Sequence, residues 1–135
     1  MDNVRVSSNG GGDLMQQIAA ALNATEIEVL KSAESASGVV AKQTAKTLKQ
    51  VSPKGKTGNY AKGWTFKRED DGFVVYNDKA PGLAHLLNNG HDVIDRNGRK
   101  VGHKAGDNHI TKVEKEMTEQ FVKDVQKELE RRLGQ

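Results

Sequence analysis

The chain of 135 residues contains 35% hydrophobic, 29% charged and only 4% aromatic residues, which predicts one modest domain with a thin, largely aliphatic core. It contains no cysteine, and this excludes disulfide bonds, thiolate metal sites and cysteine nucleophiles. No run of apolar residues approaches the ~18 that a membrane span requires, so we expect a soluble protein made in the cytosol.

The net charge of +3 is distributed unevenly along the chain. Residues 42–69 contain eight basic side chains and one acidic side chain, whereas residues 1–41 contain two basic and five acidic ones. The positive charge is therefore a property of one segment, and the protein as a whole is not strongly cationic.

The start of the chain is polar and rich in glycine, which predicts a flexible N-terminal arm over residues 1–12. A single α+β domain is expected over residues 13–135. Its first element is a short helix with Asp13 as the N-cap and Asn23 as its end.

A long N-terminal helix is predicted next. Thr25 and Glu28 have the spacing of a capping box, in which each side chain satisfies a backbone amide of the other residue. The helix should run to about Gln50, because Pro53 holds Ser52 in an extended conformation. The small residues 32–38 permit another backbone to approach closely. The expected buried residues are Val29 or Leu30, Ala33, Ala36, Val40 and Leu48.

The middle of the chain predicts an exposed loop followed by a β-hairpin. Residues 53–63 contain four glycine or proline residues, which is typical of a loop. Residues 64–68 and 73–76 are rich in aromatic and β-branched side chains and flank a turn at Asp70-Asp71-Gly72. The hairpin is therefore the best-supported part of the predicted sheet.

A short helix and a second hairpin follow. Pro81 opens the helix, and Gly90 ends it at the position where a left-handed residue is favoured. The second hairpin is shorter and more polar, with its turn at Asn97-Gly98. We expect it to be mobile.

A long C-terminal helix is predicted from Thr111, because Thr111 and Glu114 again have the spacing of a capping box. Its apolar residues recur at every fourth position, at Val113, Met117, Phe121, Val125, Leu129 and Leu133. This repeat drifts around a helix of 3.6 residues per turn, so the apolar face is broader than one core contact needs, and part of it is expected to meet another subunit. The predicted fold is α+β, with the two long helices packed on a small antiparallel sheet, together with a short helix and mobile loops.

Side chains with catalytic or metal-binding chemistry do not form a recognisable site. The histidines are His85, His91, His103 and His109, and five, eleven and five residues separate them, which is not the spacing of a metal site. The aspartates between residues 70 and 107 lie beside turn-forming residues, and no serine lies in a Gly-x-Ser-x-Gly motif. The sequence therefore predicts no enzymatic activity, no cofactor and no metal, with a metal-assisted hydrolase built on the histidines as an alternative.

The basic segment allows three interpretations. Its cations are interleaved with Tyr60, Trp64 and Phe66, which is the combination that a single-stranded nucleic-acid site uses. The same pattern fits a solvated helix face and an exposed lysine loop, with the rings in a core hairpin. The loop could also dock on an acidic neighbouring protein. The basic residues are Lys42, Lys46, Lys49, Lys54, Lys56, Lys62, Lys67 and Arg68.

Three segments, residues 52–64, 86–91 and 102–110, resemble in their order and spacing the tail-component family of long-tailed bacteriophages. The shared pattern is a helix ending in proline, a Thr-Gly pair before a large residue, a hairpin, a leucine-rich turn ending in Gly-His, and a glycine-containing loop before His-Ile. In this chain the pattern spans about Leu30 to Leu133. Relatives often have a proline where this chain has Thr111-Lys112, and the length of the segment 92–107 also departs from the pattern.

The resemblance implies a structural virion protein without catalytic activity, which completes the tail and joins it to the capsid. It implies a homo-oligomeric ring, a hexamer, around a channel through which DNA passes. The implied partners are head-closure or connector proteins and tail-terminator or tail-tube proteins, and the implied location is the tail or neck of the virion after synthesis in the bacterial host cytoplasm. A tail-terminator or head-closure ring protein, and a small nucleic-acid-binding module using Lys42 to Arg68, are the alternatives.

Two loops and two helix faces are the candidate contact sites. The loops cover residues 53–63 and 92–107, and they are expected to dock on neighbouring rings or on the tail tube. Their candidate docking residues are Lys54, Lys56, Tyr60, Lys62, Arg96, Arg99 and Lys100. The candidate subunit interface consists of Val40 on the first long helix and Phe121, Val125 and Leu129 on the second.

Overall fold

A computed structural model describes residues 4–7, 12–70 and 72–134 of the chain. Its elements in chain order are β1 (Val4–Ser7), α1 (Gly12–Leu22), α2 (Glu26–Val51), α3 (Asn59–Lys62), β2 (Trp64–Glu69), β3 (Gly72–Asn77), α4 (Leu83–Asn89), β4 (Gly90–Ile94), β5 (Lys100–Ala105) and α5 (His109–Arg132). The fold is α+β, as predicted, with long helices towards both ends of the chain and small antiparallel sheets between them.

The predicted capping box at the start of α2 is confirmed. The Thr25 amide donates to the Glu28 carboxylate over 2.7 Å, and the Glu28 amide donates to the Thr25 hydroxyl over 3.2 Å. The helix ends at Val51, followed by an extended Ser52 before the proline. Val29 is buried, and Leu30, the alternative at this position, is 39% exposed.

The core lies between α2 and α5. The apolar repeat of α5 is buried from Val113 to Leu129, and Leu133 is partly buried against the same cluster. On α2 the buried residues include the predicted Ala33, Ala36, Val40 and Leu48. The α2–α5 contact is the most extensive between any two helices in the described part of the chain, so these two faces cover each other.

The sheet has the strand order β1-β3-β2, and both pairings are antiparallel. The predicted hairpin is its β2–β3 pair, in register from Trp64 opposite Asn77 to Glu69 opposite Gly72. The sheet packs on α2, where a Cβ added to Gly38 would lie 3.3 Å from the Phe73 ring. The small residues of α2 therefore admit an aromatic ring close to the helix.

The second predicted hairpin is also confirmed. Strands β4 and β5 pair antiparallel, with an irregularity between Val93 and Ile94, and the turn contains Gly98 at a positive φ of 80°. Gly90 ends α4 at φ 85°, as predicted, and begins β4.

At the N-terminus the structure differs from the prediction. The segment Val4–Ser7 lies within the predicted flexible arm. In the structure it forms β1 and pairs with β3, with Val4 opposite Val75 and Val6 opposite Phe73. Valines at alternate positions favour a strand, whereas the prediction followed the glycine and serine content of the whole segment. Residues 1–3 and 8–11 of the predicted arm lie outside the described residues. Helix α1 begins at Gly12, so Asp13 lies in its first turn and is not the N-cap.

Two further boundaries differ from the prediction. The predicted loop 53–63 contains α3, in which Tyr60 and Ala61 are buried. Helix α5 begins at His109, two residues before the predicted start, with Asn108 in the left-handed region as its N-cap. The predicted capping box of Thr111 and Glu114 is therefore wrong.

In the part of the chain that the structure describes, no helix is both long enough and apolar enough to cross a membrane.

Candidate functional site

The segments that carry the motif pattern meet at a buried set of polar side chains, which we call the polar junction. It connects the end of α2, α3, the end of β3, α4 and the start of α5. Its members are Ser52, Tyr60, Trp64, Asn77, Asn88, Asp107 and His109. All of them except Asp107 are buried.

Ser52 and Asn77 fix the segment around α3. The Trp64 indole N–H donates to the Ser52 hydroxyl over 2.9 Å, and this hydroxyl in turn donates to the Leu48 carbonyl at the end of α2. The Asn77 amide donates to the Tyr60 carbonyl over 2.6 Å and accepts from the Ala80 amide over 2.9 Å. Polar groups that would be costly to bury unpaired are thus satisfied within the fold.

Tyr60, His109 and Asp107 form a hydrogen-bonded chain. The Tyr60 hydroxyl lies 2.6 Å from Nε2 of His109, and Nδ1 of His109 contacts the Asp107 carboxylate. Burial acts to raise the pKa of the Asp107 carboxyl, but hydrogen bonds from the side chain and backbone of His109 outweigh it and hold the pKa below its ordinary value. The carboxylate form is therefore favoured, and Nδ1 of His109 donates to it.

An Asp-His pair is also found at sites of general base catalysis. In this chain both ring nitrogens of His109 are engaged by protein groups, and the ring is only 4% exposed. Tyr60 is equally inaccessible at 5%. These hydrogen bonds have a structural role: they connect α3 to the start of α5.

Asn88 caps α5 from another element. Its side-chain oxygen accepts from the amides of Ile110 and Thr111 over 2.9 and 3.2 Å, and its NH₂ group donates to the Thr111 hydroxyl over 3.1 Å. These bonds satisfy two helix-start amides, of which the Thr111 amide is one that the predicted capping box was expected to satisfy. The cap was missed because Asn88 lies about 20 positions upstream of the amides that it binds.

Two glycines let the chain pass close to this cap. A Cβ at Gly106 would lie 2.2 Å from the Asn88 carbonyl oxygen, and one at Gly90 would lie 2.5 Å from the Lys104 carbonyl oxygen. A side chain does not fit at either position. Two glycines of the motif pattern, Gly90 and Gly106, are thus explained by the close packing of the chain at the junction.

Residues 90–105, which we call the hairpin arm, extend from the junction and pack on α4 at their base. Every residue of β5 is exposed except the half-buried Gly102, and Ile94 and Val101 are 54% and 63% exposed. The predicted docking residues Arg96, Arg99 and Lys100 all lie exposed in this arm.

Asp92 and Asp95 order the hairpin arm. Asp95 accepts from the amides of Asn97 and Arg99 over 2.8 and 2.9 Å, which fixes the turn. Asp92 lies 2.9 Å from Nδ1 of His103 and 3.2 Å from Nζ of Lys100. The hydrogen bonds from His103 and then Lys100 lower the pKa of the Asp92 carboxyl.

The docking candidates of the first loop separate into two groups. Lys54, Lys56 and Lys62 are exposed. Tyr60 is buried in the polar junction, so its side chain does not offer a docking surface.

The four candidates for a subunit interface lie inside the chain. Val40, Phe121, Val125 and Leu129 are between 0% and 8% exposed and belong to the α2–α5 core. The extra width of the α5 face is also used internally, since Val122 packs partly buried against the same cluster. These side chains are thus packed within the chain, and their part in a contact between subunits stays a prediction.

The basic segment is a cationic surface with few accessible rings. Of its three aromatic residues Trp64 is 1%, Tyr60 5% and Phe66 37% exposed. Arg68 forms an ion pair with Glu34 over 2.8 Å, and Lys67 approaches Glu69 at 3.9 Å. The arrangement that would stack single-stranded bases is therefore not present at this segment.

The histidines are dispersed. His85 contacts Asn89, His103 contacts Asp92, and His109 belongs to the polar junction. Within residues 4–7, 12–70 and 72–134, no group of three or more histidine or acidic side chains is arranged to hold a metal ion.

Comparison with protein families identifies the chain. The model of the HK97-gp10-like family, described as "Bacteriophage HK97-gp10, putative tail-component", matches residues 13–90. The chain belongs to this family. The matched region runs from α1 to the first residue of β4 and includes Tyr60, Trp64, Asn77 and Asn88 of the polar junction. Neither the curated proteins nor the solved structures contain a match.

The family assignment confirms the resemblance seen in the sequence and supports a structural protein of the phage tail, located in the virion. The motif residues of this tail component do not form an open catalytic site; they pack and cap the fold. The hairpin arm beyond Gly90 and all of α5 lie outside the matched region.

Proposed function

We propose that this tail component is a tail-completion or head–tail connector subunit, which joins the tail to the capsid as part of a ring. The observation that supports the proposal is the family match over residues 13–90, because it assigns the chain to phage tail components. The subunit acts by shape and contact, without a chemical step.

The body of the molecule is suited to such a role. Helices α2 and α5 cover each other's apolar faces, and the polar junction fastens α3, α4 and α5 together. A subunit built in this way holds its exposed elements in fixed positions. Preorganised contact surfaces lose less conformational entropy on assembly.

The ends of α2 provide a candidate for the contact between subunits. Ile27 and Leu30 near the start of the helix are 65% and 39% exposed, and Val51 at its end is 48% exposed. At a rise of 1.5 Å per residue these two apolar sites lie about 36 Å apart. A closed ring needs two different patches that pair head to tail, and α2 offers one at each end.

The hairpin arm is the candidate for contact with the adjoining ring or tube. It carries exposed Ile94 and Val101 beside Arg96, Arg99 and Lys100. Docking surfaces commonly have an apolar centre and a polar rim, and they are enriched in arginine. The partners proposed for this arm are head-closure or connector proteins on one side and tail-terminator or tail-tube proteins on the other.

A joining assay tests the proposal. Capsids and tails that lack this protein are mixed with the purified chain, and joined particles are counted by electron microscopy. We expect the wild-type chain to restore joining and the double variant I94S/V101S to fail while keeping its thermal unfolding midpoint. The variant L83S, which removes another exposed apolar side chain (44% exposed), is the matched control and should join normally.

The same assay separates the alternatives. A ring of six subunits around a DNA channel requires the chain to assemble on the tail or the capsid, and I27S/L30S should prevent this assembly. Binding to capsids alone would indicate a head-closure protein, and binding to tail tubes alone a tail terminator. A wild-type chain that binds neither would contradict the proposal.

A further inference from the structure

The second half of α2 carries a row of lysines, which we call the lysine stripe: Lys42, Lys46 and Lys49, continued by Lys54 after the helix. Spacings of four and three residues place the first three on one helix face. The buried residues Val40, Thr44 and Leu48 lie on the opposite face. The stripe therefore points away from the core.

The sequence around the stripe contains no compensating negative charge. No acidic residue occurs in the sequence between Glu34 and Glu69. Within the described residues, none of the four lysines forms an ion pair with an acidic side chain. Nζ of Lys54 donates to the carbonyls of Lys49 and Gln50, which holds its charge at the C-terminal end of α2.

The lysines are close enough together for their electrostatic potentials to overlap. Lys42 and Lys49 are separated by about 10 Å along the helix axis, which is close to the Debye length at physiological salt, ~8 Å. Their potentials therefore add at the surface. Helix α5 provides the contrast, because its exposed Lys112, Lys115 and Lys123 alternate with glutamates along the sequence.

The composition of the stripe points to a polyanion and not to a protein partner. Protein–protein interfaces are depleted in lysine and enriched in tyrosine, tryptophan and arginine. Between Val39 and Val51, both exposed, α2 presents no further exposed large apolar side chain beside the lysines. Lysine is a flexible point charge that suits phosphate without demanding a fixed geometry. Tyr60 and Trp64 are buried and Phe66 is 37% exposed, so the segment offers no row of accessible rings for a single strand to stack upon.

We propose that the lysine stripe binds the phosphate backbone of duplex DNA without reading its base sequence. This inference goes beyond the joining role, because a subunit could join capsid and tail without any contact to DNA. Neutralising duplex phosphates releases condensed counterions, so the affinity falls linearly with salt on logarithmic axes, with a slope of about −0.9 for each phosphate contact.

Fluorescence anisotropy of a labelled random-sequence duplex, between about 50 and 200 mM NaCl, tests the proposal with the full chain. The triple variant K42A/K46A/K49A should reduce the salt slope by about 2.7, which corresponds to three lost phosphate contacts. The matched control K112A/K115A/K123A removes the same charge from α5 and should leave the slope unchanged. K42R/K46R/K49R should retain binding, because it keeps the charge.

Several outcomes would overturn the inference. These are a wild-type chain that does not bind duplex at about 50 mM salt, an equal loss in the stripe and control variants, and stronger binding to a single strand or to polyglutamate than to duplex. The joining assay is read separately on the same variants. A stripe variant that loses DNA binding and still joins particles confirms that the two roles are distinct.

Discussion

The substitution N88A tests how the start of α5 is held. Asn88 is 5% exposed and caps α5 through two accepted bonds, from the amides of Ile110 and Thr111. Alanine removes the single oxygen, Oδ1, that accepts both bonds. Glu114, which the sequence places in a capping box with Thr111, is exposed on α5 and bonds neither amide.

The expected magnitude follows from these contacts. Loss of a helix N-cap costs about 1 kcal/mol, and a buried amide left without a partner costs a further ~1–3 kcal/mol. We expect the free energy of unfolding of N88A to fall by about 2–4 kcal/mol, which corresponds to a decrease in Tm of roughly 8–16 °C for a chain of this size. By contrast, E114A should change the stability by less than about 0.5 kcal/mol.

Urea titration followed by circular dichroism at 222 nm measures both variants under identical conditions. A large loss in N88A together with a near-neutral E114A supports the cap seen in the structure. The reasoning is refuted if E114A loses ~1 kcal/mol, the cost of a removed cap, while N88A remains as stable as the wild type.

Three further predictions concern the junction and the core. G106A should destabilise the fold by several kcal/mol, because its Cβ would lie 2.2 Å from the Asn88 carbonyl oxygen, whereas G102A, with open space around it, should be neutral in the same urea titration. The pKa of Asp107 is lowered from its ordinary value of 3.8, so the carboxylate stabilises the fold fully at pH values above 3.8, and this contribution is lost as the pH falls through the folded-state pKa. D107N should therefore lose less stability than the wild type when the pH is lowered from 6 to 3. L129A should lose about 2–5 kcal/mol independently of protein concentration, since Leu129 is fully buried within one chain, whereas a residue at a subunit interface would give a concentration-dependent loss.

Local sequence patterns predicted the elements whose signals are local. The capping box of Thr25 and Glu28, the stop at Pro53 and the turn at Gly98 each depend on residues a few positions apart, and all three appear in the structure. The buried face of α5 could also be predicted, because the spacing of apolar residues identifies that face whichever element packs against it.

The remaining features depend on contacts distant in sequence. The α5 cap comes from Asn88, and the burial of Tyr60 depends on His109, 49 positions away. Periodicity showed that Phe121 and Leu129 are covered, but it does not distinguish a helix of the same chain from a helix of a neighbouring subunit. The polar junction was missed for the same reason: its members are scattered from Ser52 to His109, and only the fold brings them together.

Electron cryomicroscopy of assembled particles tests the central proposal most directly, because it locates the chain in the virion. The account predicts a closed ring of this subunit between capsid and tail, with the hairpin arm in contact with the adjoining ring or tube. Particles that join and infect normally without any copy of the chain at that position would contradict it.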